Sequence, residues 1–174
     1  MIFFNSDKIK YKFLSFFLND INALKIVYKV LIGKGCRLRN NNYGSEPFLI
    51  SFGDYVSAIN VDFITHDGAV WVLRRKNSDI DLFRSIQINS NVYIGNKTTI
   101  LPGTHIESNV IIGACSLVKG NLKSGYVYAG VPAKKICSIE EYYKKNKKFL
   151  YKTKNLSYKN KKNFLMHLMK NNTI

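Results

Sequence analysis

Read from Ile88, the chain places a branched aliphatic at every sixth position: Ile88, Ile94, Ile100, Ile106, Ile112 and Val118. Four residues after each of the first five stand Val92, Thr98, Thr104, Val110 and Ser116, mostly small or β-branched. Gly95 and Gly113 directly follow two of the aliphatics, where a turn tolerates only a small side chain. A helix repeats its apolar face at 3.6 residues and a simple strand at two, so a period of six matches neither. The pattern predicts an all-β solenoid of short strands, each coil stacking its aliphatics on those of the next. An antiparallel β-protein with coincidental spacing is the alternative.

The same phase reappears upstream at Phe52, Ala58 and Ile64, the last lying 24 residues, a multiple of six, before Ile88. The intervening "DGAVWVLRRKNSDIDLFRSIQ", directly after His66, reads as a loop extruded from the coil, spanning 67–87. A shorter insertion, "RNNNYGSEP", separates the coil proper from "IGKGCR", a candidate early repeat. Before it, "FLSFFLNDINALKIVYKVL" has helix-like apolar spacing and predicts a leading helix that caps the first coil. After Pro132, Ser138 with Glu141 three residues on forms a capping box, so a helix begins there, followed by a second, weaker helical segment. The organisation is therefore a helical cap over 1–31, a coil over 32–136 and a Lys-rich helical extension over 137–174.

Charge changes the picture only at one end. Of the net charge of +16, +10 falls between Ala133 and Ile174, which leaves a near-ordinary domain with a basic appendage. Such a tail is most simply a solvated face; contact with an anionic membrane surface or an anionic carrier is the sharper reading. Nucleic-acid binding is disfavoured, because the lysines carry no reader motif. The 174 residues suit one domain, and 46% hydrophobic residues indicate a folded protein. Three widely spaced cysteines fit a reducing compartment. The N-terminal stretch has neither the ~20 apolar residues of a membrane span nor a signal-peptide pattern, so a cytoplasmic location is expected.

Three features now converge: the hexad run, "YVYAGVPAKKI" at 126–136, and "YGSEPFLISFGDYVSAINVDFITHDGAVWVLR" at 43–74. Together they resemble the hexapeptide-repeat acyltransferases, of the bacterial sugar and polysaccharide O-acetyltransferase type. The resemblance covers about residues 32–145 and implies a left-handed parallel β-helix, acetyl-CoA as acyl donor and a homotrimer. His66 matches the family's general base. A neutral imidazole suits that task if one tautomer is held. Asp67, a backbone carbonyl or another acid would orient the ring, since neighbours on a strand point to opposite faces. The plainer reading is that His66 only closes a strand.

For the cofactor, the resemblance aligns Tyr93 with a position usually held by Trp, and Asn96 with a CoA contact. Gly113 and Ala114 align with the small pair whose backbone lies against the pantetheine arm, although hexad geometry alone would also call for them. Lys119 aligns with a residue close to the cofactor, and Lys134 with the cation that meets its phosphates. Asp67, Trp71, Arg74 and Arg75 are the candidate acceptor-binding residues. An aromatic face suits a sugar ring and guanidinium groups suit its anionic substituents; Trp71 packing on a neighbouring subunit is equally open. The asparagines at 40–42 are weaker acceptor candidates. His105 reads as a surface turn residue and His167 as exposed, which speaks against a three-histidine zinc site, so no metal is expected.

The activity implied is O-acetylation of a sugar hydroxyl in capsule or lipopolysaccharide biosynthesis. N-acetylation of an amino-sugar nucleotide and a non-catalytic β-helix sugar-binding protein are the alternatives.

Overall fold

The hexad period reappears as strand register. In the structure, a computed structural model that describes residues 6–18 and 20–171, Val92 pairs with Val110 and Ile94 with Ile112, so one coil takes 18 residues. The chain begins with α1 (Ser6–Leu18) and α2 (Asp20–Tyr28). The strands follow as β1 (Leu31–Ile32), β2 (Arg37–Arg39), β3 (Ile50–Phe52), β4 (Ser57–Ile59) and β5 (Asp62–Phe63). Beyond the extruded loop come β6 (Ile86–Ile88), β7 (Val92–Ile94), β8 (Thr99–Ile100), β9 (His105–Ile106), β10 (Val110–Ile112), β11 (Leu117–Val118) and β12 (Asn121–Leu122). A hairpin of β13 (Tyr126–Ala129) and β14 (Lys134–Ser138) ends the series.

These strands form three sheets with orders β1-β3-β6-β9-β12, β14-β13-β10-β7-β4-β2 and β11-β8-β5. All pairings in them are parallel except β13 with β14, which pair antiparallel and close the second sheet. The chain visits one sheet after another, so each coil buries one aliphatic per side. Ile88 and Ile106 stack in the first sheet, Ile94 and Ile112 in the second, Ile100 and Val118 in the third, and all six are buried. Thr98, Thr104 and Ser116 are buried too, which the hexad explains once their hydroxyls are followed. Thr98 and Ser116 both donate to the Gly113 carbonyl, at 3.1 and 2.8 Å, and Thr104 donates to that of Leu101 at 2.7 Å. A small hydroxyl residue thus turns the corner without leaving a buried polar group unpaired.

Three expectations need correction. The inward residue of the third sheet's first coil is Phe63, fully buried and paired with Ile100, whereas Ile64 is 36% exposed. The cause is a shorter corner: Val61 takes the buried place that Thr98 takes in the next coil, with one residue fewer between it and Ala58 than between Ile94 and Thr98. His105 is a strand residue of β9, paired with Gln87 and Asn121, and not part of a turn. The leading segment is two helices, not one. Asp20 opens α2, where a carboxylate complements the helix N-terminus, and Leu24 joins the core beside Val30, Ile32 and Leu38. Residues 1–5 and 19 of the predicted cap lie outside the described residues.

The chain divides into two compact units, Met1–Ile139 and Glu140–Ile174. Helix α3 (Ile139–Asn146) begins directly after Ser138, where the capping box places it. In the second unit α4 (Tyr158–Lys170) is capped by Ser157, whose hydroxyl accepts from the Asn160 amide, and Phe164 packs edge-on against Tyr151 at 5.7 Å. No described helix is long and apolar enough to cross a membrane.

Candidate active site

His66 sits three residues beyond Phe63, where the third sheet gives way to the extruded loop. Backbone pairing closes the neck of that loop around it: His66 bridges Phe83 in antiparallel fashion. On either side, the Asp67 amide donates to the Leu82 carbonyl (2.8 Å) and the Arg84 amide to the Thr65 carbonyl (3.0 Å). The imidazole lies on the Phe83 ring, centroids 4.8 Å apart. Neighbouring Thr65 is buried, and its hydroxyl donates to Glu46 at 3.1 Å. The histidine therefore stands on a rigid frame and not on a loose strand end.

The ring's electrostatics come from across the loop. Asp81 Oδ1 lies 3.6 Å from His66 Nε2, an ion-pair distance but too long for a hydrogen bond. Nε2 is shut off from solvent without a hydrogen-bond partner. Asp81 is in turn gripped by Arg74, whose Nη2 donates to the same carboxylate oxygen while its Nε donates to the Ile80 carbonyl at 3.2 Å.

The four acceptor-binding candidates separate on this geometry. Asp67 caps the short 3₁₀ helix Gly68–Val72, its Oδ1 accepting from the Ala69 amide at 2.9 Å. Arg74 is committed to Asp81. Trp71, 75% exposed, and Arg75 line an open concavity of about 580 Å³ together with Val72 and Arg74. In the 40–42 run, Asn41 donates to the Ala58 carbonyl and accepts from the Val61 amide, and Asn42 accepts from the Gly44 amide. Those two side chains shape the shorter insertion from within.

The cofactor candidates fall on the coil's second corner and beyond it. Tyr93 is half-exposed on β7 beside Ile111, and the Asn96 carbonyl accepts from the Cys115 amide one coil on. Gly113 and Ala114 turn the corner between the second and third sheets. A Cβ on Gly95 would meet the Ala114 amide nitrogen at 2.4 Å, and one on Gly113 would meet the Ala129 Cβ at 2.9 Å. Coil stacking by itself thus demands glycine at 113. Lys134 pairs with Ala129 in the closing hairpin, so it stands near the same corner. Lys119 lies at the other end of β11: Phe63, Ile100 and Val118 share one row, which puts Lys119 in the row of Ile64, on the side of the coil where His66 emerges. Both lysines are exposed, as binding the phosphates of a nucleotide requires. A polyanionic thioester with a long flexible arm fits this set.

No group of three metal-ligating side chains occurs among the described residues. Cys36 is half-buried with Sγ 3.1 Å from the Gly53 carbonyl; burial pushes its thiol up, away from nucleophilic use. Asp81 and Glu46 were not among the sequence candidates. The signal for Asp81 was the pairing of "LRR" with "DIDLF" inside one loop, which becomes meaningful only when the loop's ends are known to meet.

A hexad-built parallel coil, with a part-exposed histidine held at a loop neck and a glycine-lined corner near Lys134, points to an acyl-transferring class of enzyme. Comparison with known proteins agrees. The family model described as bacterial transferase hexapeptide (six repeats) matches residues 85–120. Protein CapG of Staphylococcus aureus is 40% identical over 147 residues, covering 82% of this chain and 86% of that protein. Among solved structures, a hexapeptide-repeat acetyltransferase from Vibrio cholerae superposes with a TM-score of 0.62 at 17% identity, covering 77% of this chain and 89% of that one. A galactoside acetyltransferase in complex with coenzyme A superposes with a TM-score of 0.56 at 21% identity over 86% of each chain. At those identities the superpositions speak to the fold alone. The chain belongs to the hexapeptide-repeat acetyltransferases.

Proposed function

We propose that this acetyltransferase moves the acetyl group of acetyl-CoA to a sugar hydroxyl, in the synthesis of a surface polysaccharide such as capsule or lipopolysaccharide, with His66 as general base. The observation that carries this reading is the position of His66: backbone pairing fixes it at the neck of the loop whose Trp71, Arg74 and Arg75 line an exposed concavity, with Asp81 lying between His66 and Arg74. A likeness to the galactoside O-acetyltransferase of Escherichia coli, 35% identical over 97 residues and covering 55% of this chain and 47% of that protein, supports the acceptor class by that protein's name.

In the proposed reaction His66 takes the proton of the acceptor hydroxyl as its oxygen attacks the thioester carbonyl. The tetrahedral oxyanion is met by backbone amides of the coil. Collapse breaks the C–S bond, and the imidazolium returns its proton to the departing thiolate. No acyl-enzyme forms. Tyr93, Asn96, Gly113, Ala114, Lys119 and Lys134 hold the cofactor; Trp71 and Arg75, with Asp67 and Arg74 shaping the loop, meet the acceptor. The wider reading includes a left-handed coil over 32–136 with its helical cap over 1–31, assembled as a homotrimer with sites between neighbouring coils. It also includes a cytoplasmic location, in which the basic extension 137–174 touches the inner face of the membrane. Amphipathic α4, with Tyr158, Met166 and Met169 exposed among lysines, supports that last contact.

The test is thiol release from acetyl-CoA across a panel of sugar, nucleotide-sugar and oligosaccharide acceptors. His66→Ala is expected to abolish transfer while CoA binding and oligomer size stay as in the native protein. Retained turnover in that variant overturns the role of His66, and failure of CoA to bind in calorimetry overturns the enzyme reading.

A further inference from the structure

We propose that Asp81 is the positioning residue for His66, and that Arg74 is the clamp that holds it there. The inference rests on His66 acting as base and names the group that selects its tautomer. A neutral imidazole carries one N–H and one lone pair, and the base must present the lone pair to the acceptor. What faces each ring nitrogen decides which form is present.

The geometry assigns the proton. Nε2 is enclosed, has no other polar partner, and looks onto Asp81 Oδ1 at 3.6 Å. A carboxylate only accepts, so it favours N–H at Nε2 and leaves the lone pair on Nδ1. At 3.6 Å the pair is electrostatic, and the attraction increases once the ring has taken the acceptor's proton and become cationic. Asp81 has lone pairs to spare after serving Arg74. Arg74 is itself tied back to the Ile80 carbonyl, so the guanidinium spans the loop and fixes the acid in place. The other charged groups around the ring are turned elsewhere. Asp67 caps the 3₁₀ helix, and Glu46 accepts from Thr65.

The consequence is functional coupling. The loop that carries the acceptor surface also carries the acid that readies the base, so disturbing one disturbs the other.

The experiment is 15N NMR of histidine-labelled protein beside steady-state kinetics, for the native chain, Asp81→Asn, Asp81→Glu and Arg74→Lys. Only His66, His105 and His167 contribute signals, and the His66→Ala spectrum identifies the one that matters. The native protein is expected to show His66 protonated at Nε2. In Asp81→Asn a carboxamide can donate to Nε2 instead, so the population moves toward the Nδ1-protonated form. The kcat then falls about 10–100-fold, less than for a fully buried triad acid, since this pair is part-exposed. KM for acetyl-CoA and for the acceptor changes about two-fold or less. Asp81→Glu restores the native tautomer and part of kcat, and Arg74→Lys moves both readouts in the Asn direction by a smaller step. An unchanged tautomer in Asp81→Asn overturns the proposal, as does a raised acceptor KM with kcat intact, which would make Asp81 an acceptor contact. If Asp81→Asn does not fold, the same two readouts on Arg74→Lys decide. If His66→Ala keeps its activity the base assignment fails, but the tautomer shift still reports whether Asp81 governs the ring.

Discussion

The one-residue slip between Phe63 and Ile64 can be tested by two alanine substitutions side by side. Phe63 is fully buried, stacked face to face on Tyr43 at 5.6 Å and edge-on to Phe52 at 5.5 Å. Replacing it with Ala removes a ring and leaves a cavity between two others, a change that costs about 3–5 kcal/mol in cores of this kind. Ile64, more than a third exposed, pairs its amide with Ile100 and loses only part of an apolar contact in Ile64→Ala; about 1 kcal/mol or less is expected. With a urea slope of about 2 kcal/mol per M, Phe63→Ala lowers the unfolding midpoint by roughly 2 M and Ile64→Ala by no more than about 0.5 M. Both are measured at one fixed protein concentration, because subunit association would add to apparent stability. Phe63→Leu serves as the volume-sparing control and recovers most of the loss. If Ile64→Ala proves the more damaging of the two, Ile64 is the inward residue, and the placement of His66 derived from Phe63 is wrong.

Gly95→Ala is expected to lower the melting temperature by several degrees and to weaken CoA binding, since the new methyl would meet the Ala114 backbone nitrogen at 2.4 Å; scanning calorimetry and CoA titration report both. Lys134→Ala raises KM for acetyl-CoA several-fold with kcat little changed, as expected when a phosphate contact distant from the reacting carbonyl is lost. Glu107 is held below its ordinary carboxylate range, chiefly by its hydrogen bond with Lys123. Its contribution to stability is therefore present above that ordinary range and is lost as pH falls through its lowered value. Because the pair is on the surface, the effect is small: Glu107→Gln should flatten the acid limb of the stability–pH curve slightly, and added salt should erase the difference.

The coil was legible in sequence because its core is a one-dimensional pattern. Each aliphatic at a sixth position meets the aliphatic of the next coil, so periodicity along the chain is contact in space. The slip at Ile64 shows where this breaks: a corner with one residue fewer changes the phase, and β-branched or aromatic residues on both sides of it make either phase look plausible. The paired leading helices look like one in sequence for a related reason, since apolar spacing continues across the junction while the N-terminal acid at Asp20 is a weaker signal.

The site was legible to the degree that it lies on the coil. The Gly113–Ala114 corner could be placed by counting hexads, and His66 to within the one-residue slip at Ile64. Asp81 could not, because its position depends on the loop's two ends meeting, and that meeting is made by main-chain bonds from Asp67 to Leu82 and from Arg84 to Thr65, which carry no side-chain signature. Arg74 shows the same limit from the other side. In sequence it is one of two adjacent arginines, equally suited to an anionic acceptor; in the structure both border the concavity with Trp71, and Arg74 is the one paired with Asp81. On the proposed reading, adjacent residues of one type divide into a positioning role and a recognition role. It follows that Arg75→Ala should raise the acceptor KM and leave the His66 tautomer unmoved, whereas Arg74→Lys should do the reverse. A pair of variants one residue apart therefore separates how the loop binds from how it readies the base.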